Sequence, residues 1–586
     1  MTPAAIAAAE PKLFALATAG SRMAVDPVSE SSETDDPIPF VRSFTVLLVA
    51  VAALAFALSV APGVVAGVEH GSDDEFSAAS QDPLGDANGT TEVIVRFTAV
   101  AAPDELGEPD GDGSAAVSDL REHAADKQEA FETFAASHPD VAVEREFWLA
   151  NAMLVTVDAD AVDRAELLSV ANVTGIHENV EIETLGAANT VGSGSEPPDA
   201  SAPASEGTDA AFSEPTATQV EAEPSGSYTA GLRLVDAPTA WDRFGTRGAG
   251  ATVAVIDTGA DPAHQDIELA GWASFDENGT VVSDDLADAT DPEGHGTHVA
   301  GTVAGGNASG THIGVAPEAE LHALNTFGED TTATFAGVVA AMEYGTTRSD
   351  ADVLQMSLGA SGTFRGFIAP VRNARATGAI VVAAAGNEGE NTSSAPGNVY
   401  DSLSVGAVDG TREVATFSSG QPINATAAYE TYPDDWPDHY VVPDVTGPGV
   451  GVISAAAGTT DGYIRQQGTS MAAPHVSGIA ALAVAGTDGR VTDSALQAAV
   501  IDTAVHPESA TEPDERHGHG VVDAPAAVGA AIEAAPPEPE PTETSDADDR
   551  ARTDGQAPGF GAVTAVVAVG LSLSVAWVSR TRAGRP

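Results

Sequence analysis

Ser470 lies in Gly468-Thr469-Ser470-Met471-Ala472-Ala473-Pro474-His475-Val476-Ser477-Gly478, which gives way to the apolar run Ile479-Ala480-Ala481-Leu482-Ala483-Val484. Such a stretch reads as a loop entering a buried helix with the serine in its first turn. There the free N–H groups and the positive end of the helix dipole favour the negative charge that an attacked carbonyl develops. A serine hydroxyl is a poor nucleophile at neutral pH and needs a base within hydrogen-bond reach. Serine alone is also a common N-cap, so the other groups must be found elsewhere. Gly294-His295-Gly296-Thr297-His298-Val299-Ala300-Gly301-Thr302 offers His295 at the glycine-lined start of a small-residue helix. An imidazole is nearly neutral at pH 7 and can take the proton. Ala251-Thr252-Val253-Ala254-Val255-Ile256-Asp257-Thr258-Gly259 is a β-branched run ending in a carboxylate. A buried parallel strand would deliver that acid to the carboxyl edge of a sheet, where it could orient the imidazole and stabilise its cation.

The three motifs, in the chain order Asp, His, Ser, resemble the subtilisin-like serine peptidases (subtilases) over about residues 228–528. The resemblance implies endoproteolysis of protein or peptide substrates through an acyl-enzyme, with Asp257, His295 and Ser470 as the catalytic residues. Ile380-Val381-Val382-Ala383-Ala384-Ala385-Gly386-Asn387-Glu388-Gly389 resembles the family's A-G-N motif and makes Asn387 the side-chain oxyanion donor beside the Ser470 N–H. Ser357-Leu358-Gly359 is similar to the segment that lines the first specificity pocket and pairs with substrate as a strand. The family's glycine-rich second edge is replaced by Gly328-Glu329-Asp330-Thr331-Thr332-Ala333, so that edge is expected to differ. The competing class is a surface-binding protein on a silent subtilase scaffold. Against it stand all four polar groups.

No cofactor is required by this chemistry, and no metal site is assigned. His298 and His475 are expected to pack inside the two helices. His517-Gly518-His519-Gly520 looks like a metal tract, but its continuation into Val521-Val522-Asp523 resembles the glycine turn that closes the family's domain. Asp266 resembles a calcium ligand of the family. Its partner loop, Gly305 to Gly310, lacks a second ligand set, so structural calcium stays open.

These residues must be positioned by a scaffold, and strand-like apolar runs alternate with helical stretches from Tyr228 to Ile532. Strands are expected over 252–256, 321–325, 353–357, 380–384 and 402–407, and helices over 333–344 and 369–376. The pattern argues for an α/β domain with a mostly parallel sheet covered on both faces. Resemblance supplies the three-layer subtilisin-like fold. Residues 421–442 carry an additional Tyr-, Trp- and Asp-rich stretch, which is either a specificity loop or a surface insertion.

Residues 90–185 read as β-α-β-β-α-β, the order of a small α+β ferredoxin-like domain, with one strand expected over 173–182. Its place before a subtilase domain resembles the family's inhibitory propeptide, an intramolecular partner whose C-terminal end occupies the cleft. Residues 186–227 are Ser-, Ala-, Pro-, Glu- and Gly-rich and read as a disordered linker that contains the self-cleavage site.

The flanks concern targeting. Within residues 1–66, Phe44–Val60 and the small residues after it resemble a secretory signal, to be cleaved or retained as an anchor. Residues 67–89 form a polar spacer. Residues 533–557 are a Pro-, Glu- and Thr-rich spacer, and 558–586 join Pro558-Gly559-Phe560, an apolar run and terminal arginines. That form resembles a haloarchaeal sorting signal processed by an archaeosortase, the other reading being a plain membrane anchor. Either places the catalytic domain outside the cell, attached to its surface.

The 586 residues carry 87 acids against 24 bases, a net charge of −63, which argues against nucleic acid as a partner. Lysine is confined to Lys12 and Lys127, and acids spread over every segment before residue 558, a pattern similar to proteins of extreme halophiles. Self-repulsion at this charge predicts a need for molar salt, where the Debye length falls to about 3 Å. Cysteine is absent, which excludes thiol nucleophiles, disulfides and thiolate metal sites.

Overall fold

A computed structural model describes residues 83–85, 89–100, 113–185, 227–328, 332–507 and 512–537, all within the compact unit 75–586. The apolar segments at 44–60 and 558–578, the linker to residue 226 and the acidic spacer beyond 537 lie outside them. Among the described residues no helix is long and apolar enough to cross a membrane.

In the first part of the described chain β1 (Thr90–Phe97), β2 (Val141–Phe147), β3 (Ala152–Asp158) and β4 (Val173–Glu178) form a sheet of order β2-β3-β1-β4. Helices Ser114–Ser137 and Arg164–Leu168 complete the unit. The period-2 pattern of strands decides which residues go where. Val93, Val95, Met153 and Val155 pack with Phe131 in one cluster, whereas Ile94, Ala152 and Leu154 join a cluster with Val338, Met342 and Val371. This sheet is therefore apolar on both faces, one for its own helix and one for the larger domain. The single strand expected over 173–182 is two. Asn179 and Val180 turn the chain out of the first sheet, with Asn179 Oδ1 accepting from Ala336 N (2.9 Å) and Val180 O from Phe335 N (2.9 Å). Then β5 (Glu181–Thr184) pairs elsewhere.

The larger domain is built on β6 (Thr252–Asp257), β7 (Gly271–Phe275), β8 (Val281–Ser283), β9 (Glu320–Asn325), β10 (Thr332–Thr334), β11 (Val353–Met356), β12 (Leu358–Ser361), β13 (Ile380–Ala384), β14 (Ser394–Ala395), β15 (Leu403–Val408), β16 (Gln421–Asn424), β17 (His439–Val442) and β18 (Val445–Pro448). Eight of them form one sheet, β18-β15-β13-β11-β6-β9-β7-β8, parallel throughout except at β8. Alternation along β6 makes three layers. Val253 and Val255 face helices His295–Ala304 and Thr469–Gly486, while Ala254 and Ile256 face Phe335–Thr347 and Ile368–Ala376. The strands are buried on both sides, as parallel strands between helical layers must be.

The aromatic insertion forms the β16–β17 hairpin, with Tyr429 and Trp436 buried. The Tyr429 and Tyr440 hydroxyls donate to Asn398 O at 2.9 and 2.8 Å, and Trp436 Nε1 donates to Asp401 at 2.8 Å.

Candidate active site

Asp257 ends the central strand β6, and His295 opens its helix. His295 Nδ1 meets Asp257 Oδ1 at 2.7 Å. Close approach of helix and strand requires glycine at 296, where a Cβ would lie 2.1 Å from Gly259 O. The Asp257 side chain is wholly buried and His295 is 7% exposed, so the pair sits in low dielectric. The imidazole titrates above the ordinary histidine value. Burial pulls it down, but the Asp257 carboxylate, its hydrogen bond, and the charges of Asp291 and Glu293 together outweigh burial. His295 Nε2 is buried with no hydrogen-bond partner, which leaves that nitrogen chemically uncommitted.

Asp291, not singled out in the sequence, braces the pair. Its Oδ1 accepts from Thr258 Oγ1 (2.9 Å), Glu293 N (3.2 Å) and Gly294 N (2.8 Å), and its Oδ2 from Thr297 N (2.7 Å) and Thr297 Oγ1 (2.6 Å). Thr258 Oγ1 in turn accepts from Gly296 N at 2.8 Å. One carboxylate thus ties the start of the His295 helix to the residue after Asp257. The available signal was its place four residues before His295, where an acid can satisfy free helix-start N–H groups.

Ser470 is fully buried in the first turn of helix Thr469–Gly486. Its hydroxyl lies 2.6 Å from Leu185 O and 3.1 Å from Ser357 O. The helices that carry His295 and Ser470 pack against each other. Asn387 follows β13, and its amide orientation is fixed by Oδ1, which accepts from Thr469 N (2.9 Å) and Thr469 Oγ1 (3.0 Å). The Nδ2 group therefore points the other way and donates to Leu185 O at 2.6 Å. A Cβ on Gly468 would come within 3.3 Å of both Asn387 Nδ2 and Leu185 O, so the bare glycine keeps this space open.

Leu185 arrives at the end of β5, which lies between two strands. On one side Thr184 and Glu183 pair antiparallel with Leu358 and Gly359, and Leu185 N donates to Ser357 O at 3.2 Å. On the other, Glu183, Ile182 and Glu181 pair with Thr332, Ala333 and Thr334. All three residues expected to bind substrate, Ser357, Leu358 and Gly359, run alongside this segment. The second edge exists despite its changed composition, supplied by β10. Ile182 is completely buried and Leu185 nearly so. Beneath them Ser357 Oγ donates to Ser470 O (2.9 Å) and accepts from Gln355 Nε2 (2.7 Å), while Gln355 Oε1 accepts from Ser477 Oγ (2.6 Å).

His298 and His475 serve packing. His298 Nε2 contacts Val452 O at 3.1 Å and His475 Nδ1 contacts Met471 O at 2.8 Å; burial lowers them to about 3 and about 4, so both are neutral. Asp266, the residue that resembles a calcium ligand, is buried. Its Oδ1 accepts from Ala308 N at 2.6 Å and its Oδ2 from the Tyr463 hydroxyl, so both oxygens are engaged by donors.

An acid, an imidazole and a serine on three separate elements, with an amide donor on a carbonyl carbon's oxygen, are what acyl transfer requires. Comparison with known proteins points the same way. Residues 248–520 match the subtilase family of S8 peptidases. Subtilisin DY of Bacillus licheniformis is 37% identical over 242 residues, covering 41% of this chain and 78% of that protein. Subtilisin BL of Lederbergia lenta is 36% identical over 253 residues, 43% of this chain and 82% of the relative. Alkaline elastase YaB of a Bacillus strain is 35% identical over 253 residues, 43% of this chain and 58% of the relative. The chain belongs to the subtilase family of serine peptidases.

Proposed function

We propose that the protein is a serine endopeptidase made as a self-inhibited proenzyme, with Asp257, His295 and Ser470 as its triad. Ser470 Oγ attacks the substrate carbonyl carbon and its proton passes to His295 Nε2. Asn387 Nδ2 and the Ser470 N–H stabilise the oxyanion, and Asp257 stabilises the imidazolium. Collapse hands the proton to the leaving amine and leaves an acyl-serine, which water hydrolyses by the same path in reverse.

Residues 90–185, with the β-α-β-β-α-β ferredoxin-like order, act as the propeptide, and the maturation bond is Leu185–Gly186. The observation that carries this reading is the Leu185 carbonyl oxygen, 2.6 Å from both Asn387 Nδ2 and Ser470 Oγ. A strand paired on both edges and ending in that contact occupies the cleft as a substrate's acyl half would. Extracellular location, surface attachment through residues 558–586 and activity in molar salt belong to the same proposal and rest on the sequence.

A serine-reactive phosphonate at high salt tests the enzyme reading. Mature wild type should be labelled and Ser470→Ala should not. Equal labelling of both would leave a binding protein on a silent scaffold.

A further inference from the structure

A second cluster of reactive groups lies on the hairpin near the end of the larger domain. Val505 and Val521 bridge antiparallel, as do Asp514 and Gly518. Positive φ at Gly518 and Gly520, 58° and 127°, lets this turn press against Asp444 and Val505, where a Cβ on either glycine would clash at 2.2 and 2.3 Å. The turn expected from the sequence is therefore present, and it also brings His517 to His506 and Asp514. His506 Nε2 lies 3.1 Å from Asp514 Oδ2, and His517 Nδ1 lies 3.3 Å from both Asp514 oxygens. All three ligand atoms fall within 4.8 Å of one another.

Backbone groups hold both His506 and Asp514 in place. His506 Nδ1 sits 3.1 Å from Pro507 O, which can only accept, so Nδ1 carries the hydrogen. Its Nε2 faces Asp514 Oδ2 at 3.1 Å. Asp514 Oδ1 is meanwhile held by Arg516 N at 2.8 Å and His517 N at 2.7 Å, which fixes the carboxylate's direction. A cation held among these atoms would take the imidazoles as neutral ligands and Asp514 as an anionic one. An imidazole whose second nitrogen is anchored on a backbone carbonyl is also the arrangement that surrounds metal-bound histidines.

We propose that His506, Asp514 and His517 form a site for a borderline divalent cation such as Zn²⁺, with its fourth position left to water. With bonds of about 2.0–2.1 Å, the ligand atoms of a tetrahedral zinc stand about 3.3 Å apart. The two distances to Asp514 already match. The side chains are 6, 18 and 18% exposed for His506, Asp514 and His517, so an ion can reach them without unfolding. Two nitrogens and one oxygen favour zinc over calcium or magnesium, which take all-oxygen shells.

The site would brace the peptidase cleft from behind. In the same turn Arg516 donates to Ser418 O (2.6 Å) and Ala415 O (2.9 Å). The next residue, Ser419, supports the loop of Asn387, donating from N to Gly386 O at 3.0 Å and accepting from Glu388 N at 3.1 Å.

Full-length Ser470→Ala protein, stripped with chelator and kept at high salt, is titrated with Co²⁺ as a spectroscopic probe. The expected result is about one equivalent bound with a tetrahedral visible band, displaced by Zn²⁺, and a Zn²⁺-dependent rise in thermal midpoint. His517→Ala and His506→Gln added to that background should lose band and thermal shift, while His439→Ala, elsewhere on the surface, keeps both. His517 is the more exposed of the two histidines, so its variant decides if His506→Gln fails to fold. A band unchanged in His517→Ala would mean ions held adventitiously by the acidic surface. No saturable binding below about millimolar cobalt would mean an ion pair only. Either overturns the site.

Discussion

Asn387 donates to the carbonyl oxygen of Leu185 at 2.6 Å, across 202 residues of chain. Ser470 meets the same oxygen. On the proposed roles of Ser470 and Asn387, a carbonyl touched by both is the one poised for attack, so maturation should expose Gly186 as the new N-terminus. N-terminal sequencing of wild type should give Gly186-Ala187-Ala188, and Ser470→Ala should stay uncut. Leu185→Asp, which forces a charge into a nearly closed apolar position, should slow the cut at least about tenfold. A mature terminus far inside the linker, formed at the normal rate in that variant, would sink the assignment.

Asn387→Ala removes one of the two proposed oxyanion donors. Such losses cost roughly a hundredfold to a thousandfold in kcat, with KM little changed, because the donor matters most once the oxygen is charged. Its Oδ1 also holds Thr469, so a stability loss of about 1 kcal/mol should accompany the change. A parallel thermal melt separates the two effects. A kcat within about twofold of wild type would remove Asn387 from the chemistry.

Glu293 reaches the same reaction through charge alone. It is among the groups that hold His295 above its ordinary value. The neutral base prevails only above that raised value, so the acid limb of kcat/KM should lie higher than an isolated histidine would place it. Glu293→Gln should move the limb to lower pH and leave the alkaline plateau nearly unchanged. Salt must shrink the difference, because Glu293 is exposed to screening. A limb that does not move at the lowest salt that keeps the enzyme folded refutes the coupling.

What was legible in the sequence was local. Asp257, His295, Asn387 and Ser470 each sit in a short motif whose small residues are dictated by the close packing around them, and buried strands announce themselves as apolar runs. The carbonyl of Leu185 carries no such signature, since its partner hydroxyl is 285 residues away. The break at Asn179 and Val180 was hidden for a related reason. Apolar alternation continues through it, and only contacts with Phe335 and Ala336 show that the strand changes sheets. Asp291 looked like one acid among 87 until five donors were found on it.

Salt should decide whether the fold persists. At a net charge of −63, repulsion acts over about 10 Å at 0.1 M salt and about 3 Å at 1 M. Thermal midpoint and activity of the mature enzyme should therefore rise steeply toward molar salt. Full activity after long dialysis into 0.1 M salt would rule the dependence out.

Two buried groups make release of the 90–185 segment depend on pH in opposite directions. Glu343 accepts from Leu149 N at 3.0 Å and is pushed up from 4.5 to about 7 by burial, against the pull of that N–H and of Arg145 and Arg121. Free of the segment it should return to its ordinary value. The complex then holds a proton that the separated parts lack between about 4.5 and 7, so Glu343 weakens association as pH rises through that window. His177 does the reverse. Packed edge-on against Phe335 and Phe364, it is lowered from 6.5 to about 3 by burial and by Arg96, so it weakens association as pH falls from 6.5 toward 3. Between about 4.5 and 6.5 the two nearly cancel, and inhibition of mature enzyme by the segment should be almost flat with pH. Glu343→Gln leaves His177 alone, and affinity should climb with pH by up to about tenfold per unit. His177→Phe leaves Glu343 alone, and affinity should fall with pH at a similar slope. Inhibition constants for both variants across this range check the signs, and parallel profiles in the two would refute the arrangement.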